Sequence, residues 1–239
     1  MKNQFLHTGN VRRAIESTTA LRNQGEKMPR LGAWHGEAGR GKTETSIFYC
    51  GKHTARMVTP KVNSSQLDLL NALYAELKGQ KEAKFGRGRD AYDACLRLMF
   101  NSTEPVLIDE ADRISGRTVL VETLRDLSDR TDCPIIFVGT DQMMVQLLQR
   151  EQVASRLSQV VRFKPLSVEE VGMAAAELSG IQLNPAAAEV LHKISRGFFR
   201  DLKVALSHIE RTVTANKISD PPAEMVEQVA RKAIMRLAA

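Results

Sequence analysis

Short apolar runs alternate with helix-spaced apolar positions along the first two thirds of the chain. The runs suit strands that are buried on both faces, and we predict these strands at 30–35, 55–59, 105–109, 134–138 and 160–163. Apolar residues spaced three and four apart predict helices at 8–26, 42–52, 65–77, 91–101, 118–130, 142–149 and 152–157. Strands that alternate with helices predict an α/β fold, here a five-stranded parallel sheet with helices on both faces.

The strand pattern stops at Pro165. Beyond it, only helices are predicted, at 168–178, 185–195, 200–215 and 222–237. This shift predicts two domains, an α/β domain with an N-terminal helix over 1–164 and a helical domain over 165–239.

Composition and charge narrow the class of protein. The chain has 239 residues, 43 % hydrophobic and 26 % charged, which excludes a disordered, collagen-like or coiled-coil protein. No apolar run reaches the ~18–20 residues that span a bilayer, and the first residues lack an apolar signal core, so we expect a cytoplasmic protein with no membrane partner. The net charge of +6 permits a polyanionic partner. Cys50, Cys95 and Cys133 form no CxxC pair, which indicates neither a disulfide framework nor a zinc site.

A glycine-rich segment follows the first predicted strand and opens the next helix. It reads Gly36-Glu37-Ala38-Gly39-Arg40-Gly41-Lys42-Thr43 and matches GxxxxGK[ST], the phosphate-binding loop known as Walker A. Its glycines let backbone N–H groups turn towards phosphates, and the helix N-terminus adds positive potential. We expect Lys42 to reach the β- and γ-phosphates of a nucleotide and Thr43 to ligate Mg²⁺. The alternative is a glycine-rich turn that matches by chance.

Polar residues lie at the ends of two later buried strands of the predicted sheet, those at 105–109 and 134–138. Asp109 ends one strand and Glu110 follows it; we expect Asp109 to hold Mg²⁺ through water and Glu110 to polarise an attacking water. The alternative is a strand end that faces solvent. Thr140 ends the other strand and is expected to orient the water, while Asp141 is as well explained by an ordinary helix cap.

The order of these motifs resembles that of the AAA+ ATPases, which have a Walker A loop, an Asp-Glu Walker B strand, a polar strand end, an arginine-containing helix and a helical lid. The resemblance implies that ATP and Mg²⁺ bind between subunits. The Ser-Arg-Leu step at Arg156 is similar to the arginine-finger region of initiator-type members. Arg156, with Arg150 as the reserve, is therefore expected to reach the γ-phosphate in a neighbouring subunit. A solvated arginine on a helix face is the alternative.

A second arginine of the family's pattern lies in the predicted helical domain. Gly197-Phe198-Phe199-Arg200 is similar to the sensor-2 step of AAA+ lids and implies that Arg200 reads the nucleotide. The family often has Asn or Pro after the glycine, so Phe198 and Phe199 depart from its pattern. Arg200 can alternatively be a surface residue at a helix start.

The short spacing between the Walker motifs and the Gly-Thr-Asp step at 139–141 resemble the DNA-transposition ATPases, which include the B protein of phage Mu and its Tn7-like and TniB-like relatives. This resemblance implies ATP-dependent self-association into a ring or filament on double-stranded DNA, without sequence preference. It also implies target selection for, and activation of, a transposase. Only about 29 residues precede the first predicted strand, too few for the helix-turn-helix domain of the Mu protein, so we expect a version without it.

Contacts to DNA are then expected from the predicted α/β domain. Residues 79–90 are polar and punctuated by glycines, which predicts an exposed loop. Lysine and arginine neutralise phosphates without reading sequence. The candidate DNA contacts are Lys61, Lys81, Lys84, Arg87 and Arg89. Aromatic residues are scarce among them, which argues against stacking on single strands. The alternative to a DNA contact is a loop whose charges are merely solvated.

Two other functions remain open. A helicase loader of the same family would act on single-stranded DNA, and a nucleotide-dependent switch would bind ATP without productive turnover. Glu110 disfavours the switch, because a water-polarising carboxylate would be idle there. The adenine contacts are not identified by any motif, and Thr8, Gly9 and Asn10 are candidates by position alone.

Overall fold

The computed structural model of the protein describes residues 4–25, 27–100 and 102–235. Its strands are β1 (Leu31–His35), β2 (Arg56–Val58), β3 (Val106–Ile108), β4 (Ile135–Gly139) and β5 (Leu157–Arg162). Its helices are α1 (Gly9–Arg22), α2 (Lys42–Lys52), α3 (Gln66–Lys78), α4 (Gly88–Met99), α5 (Asp112–Ser115), α6 (Thr118–Thr131), α7 (Asp141–Leu148), α8 (Glu151–Ala154), α9 (Val168–Ala174), α10 (Pro185–Ser195), α11 (Phe199–Asn216) and α12 (Ala223–Met235). A π-helical turn, Ala175–Ser179, extends α9. Within these described residues, no helix combines the length and the apolar character needed to cross a membrane.

The strands form one parallel sheet in the order β2-β3-β4-β1-β5. β1 pairs with β4 from Leu31 opposite Ile135 to His35 opposite Gly139. β3 pairs with the other side of β4, where Ile108 lies opposite Phe137. The predicted five-stranded parallel sheet is confirmed. Its register places the carboxyl ends of β1, β3 and β4 at one edge, where ligands of parallel sheets bind.

The apolar side chains of each central strand divide between the two faces of the sheet, because successive side chains point to opposite sides. In β4, Ile135 and Phe137 belong to the core cluster that residues of α3, α4 and α6 complete. Ile136 and Val138 belong to a second cluster on the other face, together with Trp34. All five side chains are buried. This two-sided burial explains why the strands are continuous apolar runs in the sequence.

The chain forms two compact units. The sheet unit consists of Asn10–Glu37 and Lys42–Phe163, and the helical unit of Met1–Gly9, Ala38–Gly41 and Lys164–Ala239. The helical unit has its own core, to which α9, α10, α11 and α12 contribute Val171, Leu191, Leu206 and Val226. Four residues of the glycine-rich loop, Ala38–Gly41, thus group with the helical unit.

Some predicted element ends differ from the structure. The helix predicted over 8–26 ends at Arg22, because the Arg30 guanidinium binds the carbonyl oxygens of Leu21 at 2.9 Å and Gln24 at 2.7 Å. The loop predicted over 79–90 is shorter, since α4 begins at Gly88. The fifth strand begins at 157 and not 160, because its ladder with β1 already starts there, and this shortens the helix predicted over 152–157.

Leu73 of α3 is fully buried in the core of the sheet unit, whereas Leu148 of α7 is 53 % exposed. We expect Leu73→Ala to lower the free energy of unfolding by about 2–5 kcal/mol, because the truncation leaves a cavity that its neighbours fill only partly. Leu148→Ala is the matched control and should change that free energy by less than about 0.5 kcal/mol. Urea unfolding followed by circular dichroism measures both, and equal losses would contradict the packing of α3.

Candidate nucleotide-binding site

The glycine-rich loop leaves β1 and enters α2 with a backbone that only glycine adopts easily. Gly36 has φ +145°, and a Cβ there would lie 2.7 Å from the carbonyl oxygen of Phe163. Gly39 and Gly41 have φ of +82° and +88°, in the left-handed region that favours glycine. A loop of this kind can present successive backbone N–H groups to an anion.

Lys42 is buried at the start of α2, with 9 % of its surface exposed. Its Nζ donates to the carbonyl oxygens of Gly36 at 2.7 Å and Glu37 at 2.9 Å. The ammonium group therefore lies against the first residues of the loop, at the same end of α2 as the helix N-terminus. Both carry positive potential, which suits a bound phosphate chain.

Asp109 directly follows β3 and is 4 % exposed. Thr43 Oγ1 donates to its Oδ1 at 3.3 Å. Burial raises the pKa of Asp109, and the hydrogen bond from Thr43 and the charge of Lys42 work against that rise. Mg²⁺ prefers oxygen ligands and usually takes one or two from the protein beside water and phosphate. The hydroxyl of Thr43 and the carboxylate of Asp109 are such a donor pair, so these residues fit the ion.

Glu110 follows Asp109 with φ +50°, a backbone conformation that few residues other than glycine adopt. Its carboxylate forms an ion pair with Arg113. Arg113 also donates from Nη1 to the carbonyl oxygen of Pro60 at 2.7 Å, in the segment after β2. Sequence reasoning missed Arg113, for which the only signal was a cation three positions after Glu110.

Thr140 follows β4 and contacts Asp112, another residue that sequence reasoning missed. The Thr140 hydroxyl donates to the Asp112 carboxylate, as does its backbone N–H at 3.0 Å. Among the residues that the structure describes, the Thr140 side chain makes no capping hydrogen bond to α7. Asp112 lies only two positions after the Walker B pair, which is the signal the sequence contained.

Asp141 joins a separate ionic group at the same edge of the sheet. Its Oδ1 lies 2.6 Å from Nδ1 of His35, and Arg162 donates to its Oδ2 at 3.4 Å. Burial by itself would raise the pKa of Asp141, but the hydrogen bond from His35 and the charge of Arg162 outweigh it and lower that pKa. Asp141 therefore links the ends of β1, β4 and β5.

Both arginine-finger candidates are paired within their own chain. Arg156 is 43 % exposed, and its Nε lies 3.1 Å from Oδ1 of Asp129 on α6. Arg150 donates from Nη1 to the carbonyl oxygen of Gln146 at 2.5 Å, and its Nε reaches Thr118 at 3.5 Å. An arginine that serves a neighbouring subunit must exchange these partners for phosphate oxygens.

The candidate DNA contacts belong to the sheet unit and all of them are exposed. They lie on the segment after β2 and the segment between α3 and α4, except for Arg89, which lies in the first turn of α4. In the segment between α3 and α4, the Phe85 ring packs edge-on against Tyr74 at 4.9 Å, and its backbone N–H donates to Asn71 at 2.9 Å. Phe85 thus anchors the segment and leaves Lys81 and Arg87 exposed beside it. The two remaining cations make salt bridges, Lys84 to Glu82 at 3.2 Å and Arg89 to Asp93 at 4.0 Å.

The segment after β2 carries Lys61, which is exposed. Arg113 donates to the carbonyl oxygen of Pro60 near the start of this segment, and Arg117 donates to the carbonyl oxygen of Ser64 near its end. Both arginines come from the region that follows the Walker B strand. The position of Lys61 therefore depends on Arg113 and Arg117, which follow Glu110 in the chain.

The helical unit contains the sensor-2 candidate and part of the adenine candidates. Arg200 lies in the first turn of α11, and its backbone N–H donates to the carbonyl oxygen of Gly39 at 3.1 Å. The Gly9 N–H donates to Oε1 of Glu170 at 2.7 Å, and Thr8 is 7 % exposed.

Asn10, the third adenine candidate, begins the sheet unit and is 4 % exposed. Its Oδ1 accepts from Nη2 of Arg13 at 2.6 Å. Asn10 thus pairs with Arg13 within α1, and its role as an adenine contact stays a prediction.

Comparisons with known proteins add a family and several similar folds. No curated protein matches the chain at a significant level. Among solved structures, the ORC2 protein of Aeropyrum pernix in its ADPNP-ADP complexes is 16 % identical with a TM-score of 0.65, over 100 % of this chain and 73 % of that one. Cdc6p from Pyrobaculum aerophilum is 14 % identical with a TM-score of 0.66, over 98 % and 70 % of the two chains. The RuvB Holliday junction branch migration motor of Thermotoga maritima is 20 % identical with a TM-score of 0.60, over 94 % and 69 %.

At these identities the solved structures show a shared fold and no more. The profile of the AAA domain, in contrast, matches the sequence over residues 26–148. This segment contains the Walker A loop, Asp109, Glu110 and Thr140, and it ends before Arg150, Arg156 and Arg200. Because it makes up more than half of the chain, the protein belongs to the AAA domain family.

Proposed function

We propose that the protein is an ATPase that binds ATP and Mg²⁺ at the Walker A loop and hydrolyses ATP between subunits assembled on double-stranded DNA. The observation that carries this proposal is the 3.3 Å hydrogen bond between Thr43 and Asp109 beside the buried ammonium of Lys42. It brings a hydroxyl, a carboxylate and a cation together next to a loop with the backbone of a phosphate site. Membership of the AAA domain family supports the same activity.

The residues of the chain would divide the chemical work. Mg²⁺, when bound, neutralises charge on the β- and γ-phosphates, and Thr43 and Asp109 would hold it directly and through water. Lys42 would exchange its carbonyl partners for phosphate oxygens. Glu110 would accept a hydrogen bond from the attacking water and polarise it, and Thr140, fixed by Asp112, would orient that water.

Arginines outside the segment that matches the AAA domain would stabilise the charge that develops during phosphoryl transfer. We assign Arg156 to the γ-phosphate of a neighbouring subunit, with Arg150 as the reserve, and Arg200 to the nucleotide of its own chain. In this assignment residues 1–164 are the nucleotide-binding domain and 165–239 the helical lid.

A role in DNA transposition is the finer part of the proposal. It rests on the sequence resemblance to transposition ATPases, together with the exposed cations at 61 and 81–89. We propose that the protein assembles on duplex DNA as a ring or filament, selects target DNA and activates a transposase. A helicase loader on single strands is the second candidate, and the packing of Phe85 against Tyr74 disfavours it, since this ring is engaged and not presented for base stacking.

Two substitutions separate nucleotide binding from hydrolysis. We expect Glu110→Gln to keep ATP affinity and to lose about 10²–10⁴-fold in turnover, because the water is no longer polarised. Lys42→Ala should lose ATP affinity itself, and Glu189→Gln, an exposed carboxylate on α10, is the control. Calorimetry measures affinity, and phosphate release with and without DNA measures turnover. A wild type that binds ATP but releases no phosphate under either condition would establish the switch in place of the ATPase.

The exposed cations should determine DNA affinity. We expect replacement of Lys81, Lys84, Arg87 and Arg89 by Ala to weaken duplex binding and to flatten its dependence on salt, by a slope of about 0.9 for each phosphate that the variant no longer neutralises. The control removes four exposed cations of the helical unit, namely Lys193, Arg211, Lys217 and Lys232. Anisotropy of a labelled duplex over a salt series measures both variants. A single strand of equal length that binds more tightly than the duplex would favour the helicase loader.

Arg156 should act on the neighbouring subunit. We expect Arg156→Ala to bind ATP normally and to lose DNA-stimulated hydrolysis by on the order of 10³-fold, the loss typical of an arginine finger. Mixing Arg156→Ala with Lys42→Ala should partly restore phosphate release, because one variant supplies an intact nucleotide site and the other an intact finger. If Arg150→Ala shows this behaviour and Arg156→Ala does not, the reserve residue takes the role. Full turnover by isolated Arg156→Ala subunits would exclude a finger at this position.

A further inference from the structure

Arg40 lies inside the Walker A loop and yet is only 7 % exposed. It belongs to the helical unit, together with the segment that links α10 and α11. Its guanidinium carbon lies 3.8 Å from the centroid of the Phe198 ring, which is a cation–π contact. A phosphate cradle uses the backbone at this position and not the side chain, so the burial of this arginine needs a separate explanation.

The guanidinium group of Arg40 lies at the end of α10. Its Nη1 donates at 3.4 Å to the carbonyl oxygens of Arg196 and Gly197, which follow the last helical residue. Arg196 and Gly197 have φ of +52° and +66°, the left-handed backbone that ends many helices. A Cβ on Gly197 would lie 2.7 Å from the carbonyl oxygen of Leu166. Arg40 is therefore a cation at the negative end of a helix, a favourable position.

The residue before Arg40 is held by the start of the next helix. The first N–H groups of α11 lack partners inside the helix, and that of Arg200 donates to the carbonyl oxygen of Gly39 at 3.1 Å. In a trans peptide the carbonyl and the N–H point in opposite directions. A Gly39 carbonyl directed at α11 therefore turns the Arg40 N–H away from α11.

We propose that Arg40 is a positioning residue for nucleotide binding, which fixes the peptide between Gly39 and Arg40 so that the Arg40 N–H is presented to the β-phosphate. The side chain holds one end of this peptide through Phe198 and the carbonyls of Arg196 and Gly197, and Arg200 holds the other end through its backbone. The inference rests on the proposed function, since it assumes that the loop binds a nucleotide. ADP and ATP both carry the β-phosphate, so the contribution of Arg40 is the same for both, unlike that of a residue that reads the γ-phosphate.

The test compares affinities for Mg-ADP and for Mg with the non-hydrolysable analogue ADPNP, measured by calorimetry. Arg40→Ala should weaken both by the same factor, about tenfold, because a loop that is no longer held must be ordered on binding. Phe198→Leu should weaken both in the same ratio. The double variant should bind no more weakly than Arg40→Ala alone, since both changes remove one contact.

Controls separate positioning from a loss of folding or of charge. Lys193→Ala removes an exposed cation from the last turn of α10 and should leave both affinities unchanged. Circular dichroism and melting without nucleotide check that each variant is folded. If Arg40→Ala does not fold, Arg40→Lys is measured in its place, because it keeps a positive charge and loses the planar stack on Phe198. It should lower the affinities for both ligands equally, by a smaller factor than Arg40→Ala.

Three results would overturn the inference: wild-type ADP affinity in Arg40→Ala, a loss confined to the triphosphate analogue, or losses of the two single variants that multiply in the double variant. A wild type that binds neither nucleotide would overturn the proposed function as well. This outcome is distinguishable from a failure of the inference alone, because the wild type shows it before any variant is measured.

Discussion

The parallel pairing of β1, β4 and β3 is the constraint on which the candidate site depends. It carries the start of the glycine-rich loop, Asp109 and Thr140 to one edge of the sheet, although they are far apart in the chain. The hydrogen bond between Thr43 and Asp109 joins residues 66 positions apart and exists only in this register. The Asp109 N–H continues the pairing of β3 by donating to the carbonyl oxygen of Val58 at 2.9 Å. The ladder that builds the sheet thereby also fixes the backbone of Asp109, from which the carboxylate extends.

Several groups of the candidate site have partners within the chain. Lys42 donates to loop carbonyls, Glu110 pairs with Arg113, and Thr140 donates to Asp112. Buried polar groups without partners are costly, which explains why these side chains are paired inside the protein. In the proposed function, nucleotide binding would exchange one set of partners for another, so that only the difference between the two sets would contribute to affinity. The arrangement of these partners is therefore as much a part of the site as the groups that would touch phosphate.

The sequence predicted what depends on local pattern and missed what depends on contacts in space. Continuous apolar runs were sufficient to find the strands, and the glycine-lysine spacing was sufficient to find the loop, because each is imposed on consecutive residues. The roles of Asp112 and Arg113 were not predictable, since they depend on Thr140 and Pro60, which belong to other elements. The same holds for Arg156, whose pairing with Asp129 no spacing rule indicates. The start of β5 was misplaced because its first residues, half-buried at the sheet edge, lack a continuous apolar run.

The departure from the AAA+ sensor-2 pattern has a physical explanation in the helical unit. Phe198 provides the ring on which Arg40 stacks, and Phe199 lies beside Gly41, where an added Cβ would be in ordinary van der Waals contact with its ring at 3.6 Å. An arginine inside the loop requires a partner that accepts a buried cation, and an aromatic face together with helix-end carbonyls meets that requirement. The arginine at 40 and the phenylalanines at 198 and 199 are thus parts of a single feature. Each looks like an isolated anomaly in the sequence, because the contact that relates them forms only when the loop and the α10–α11 connection lie in the same unit.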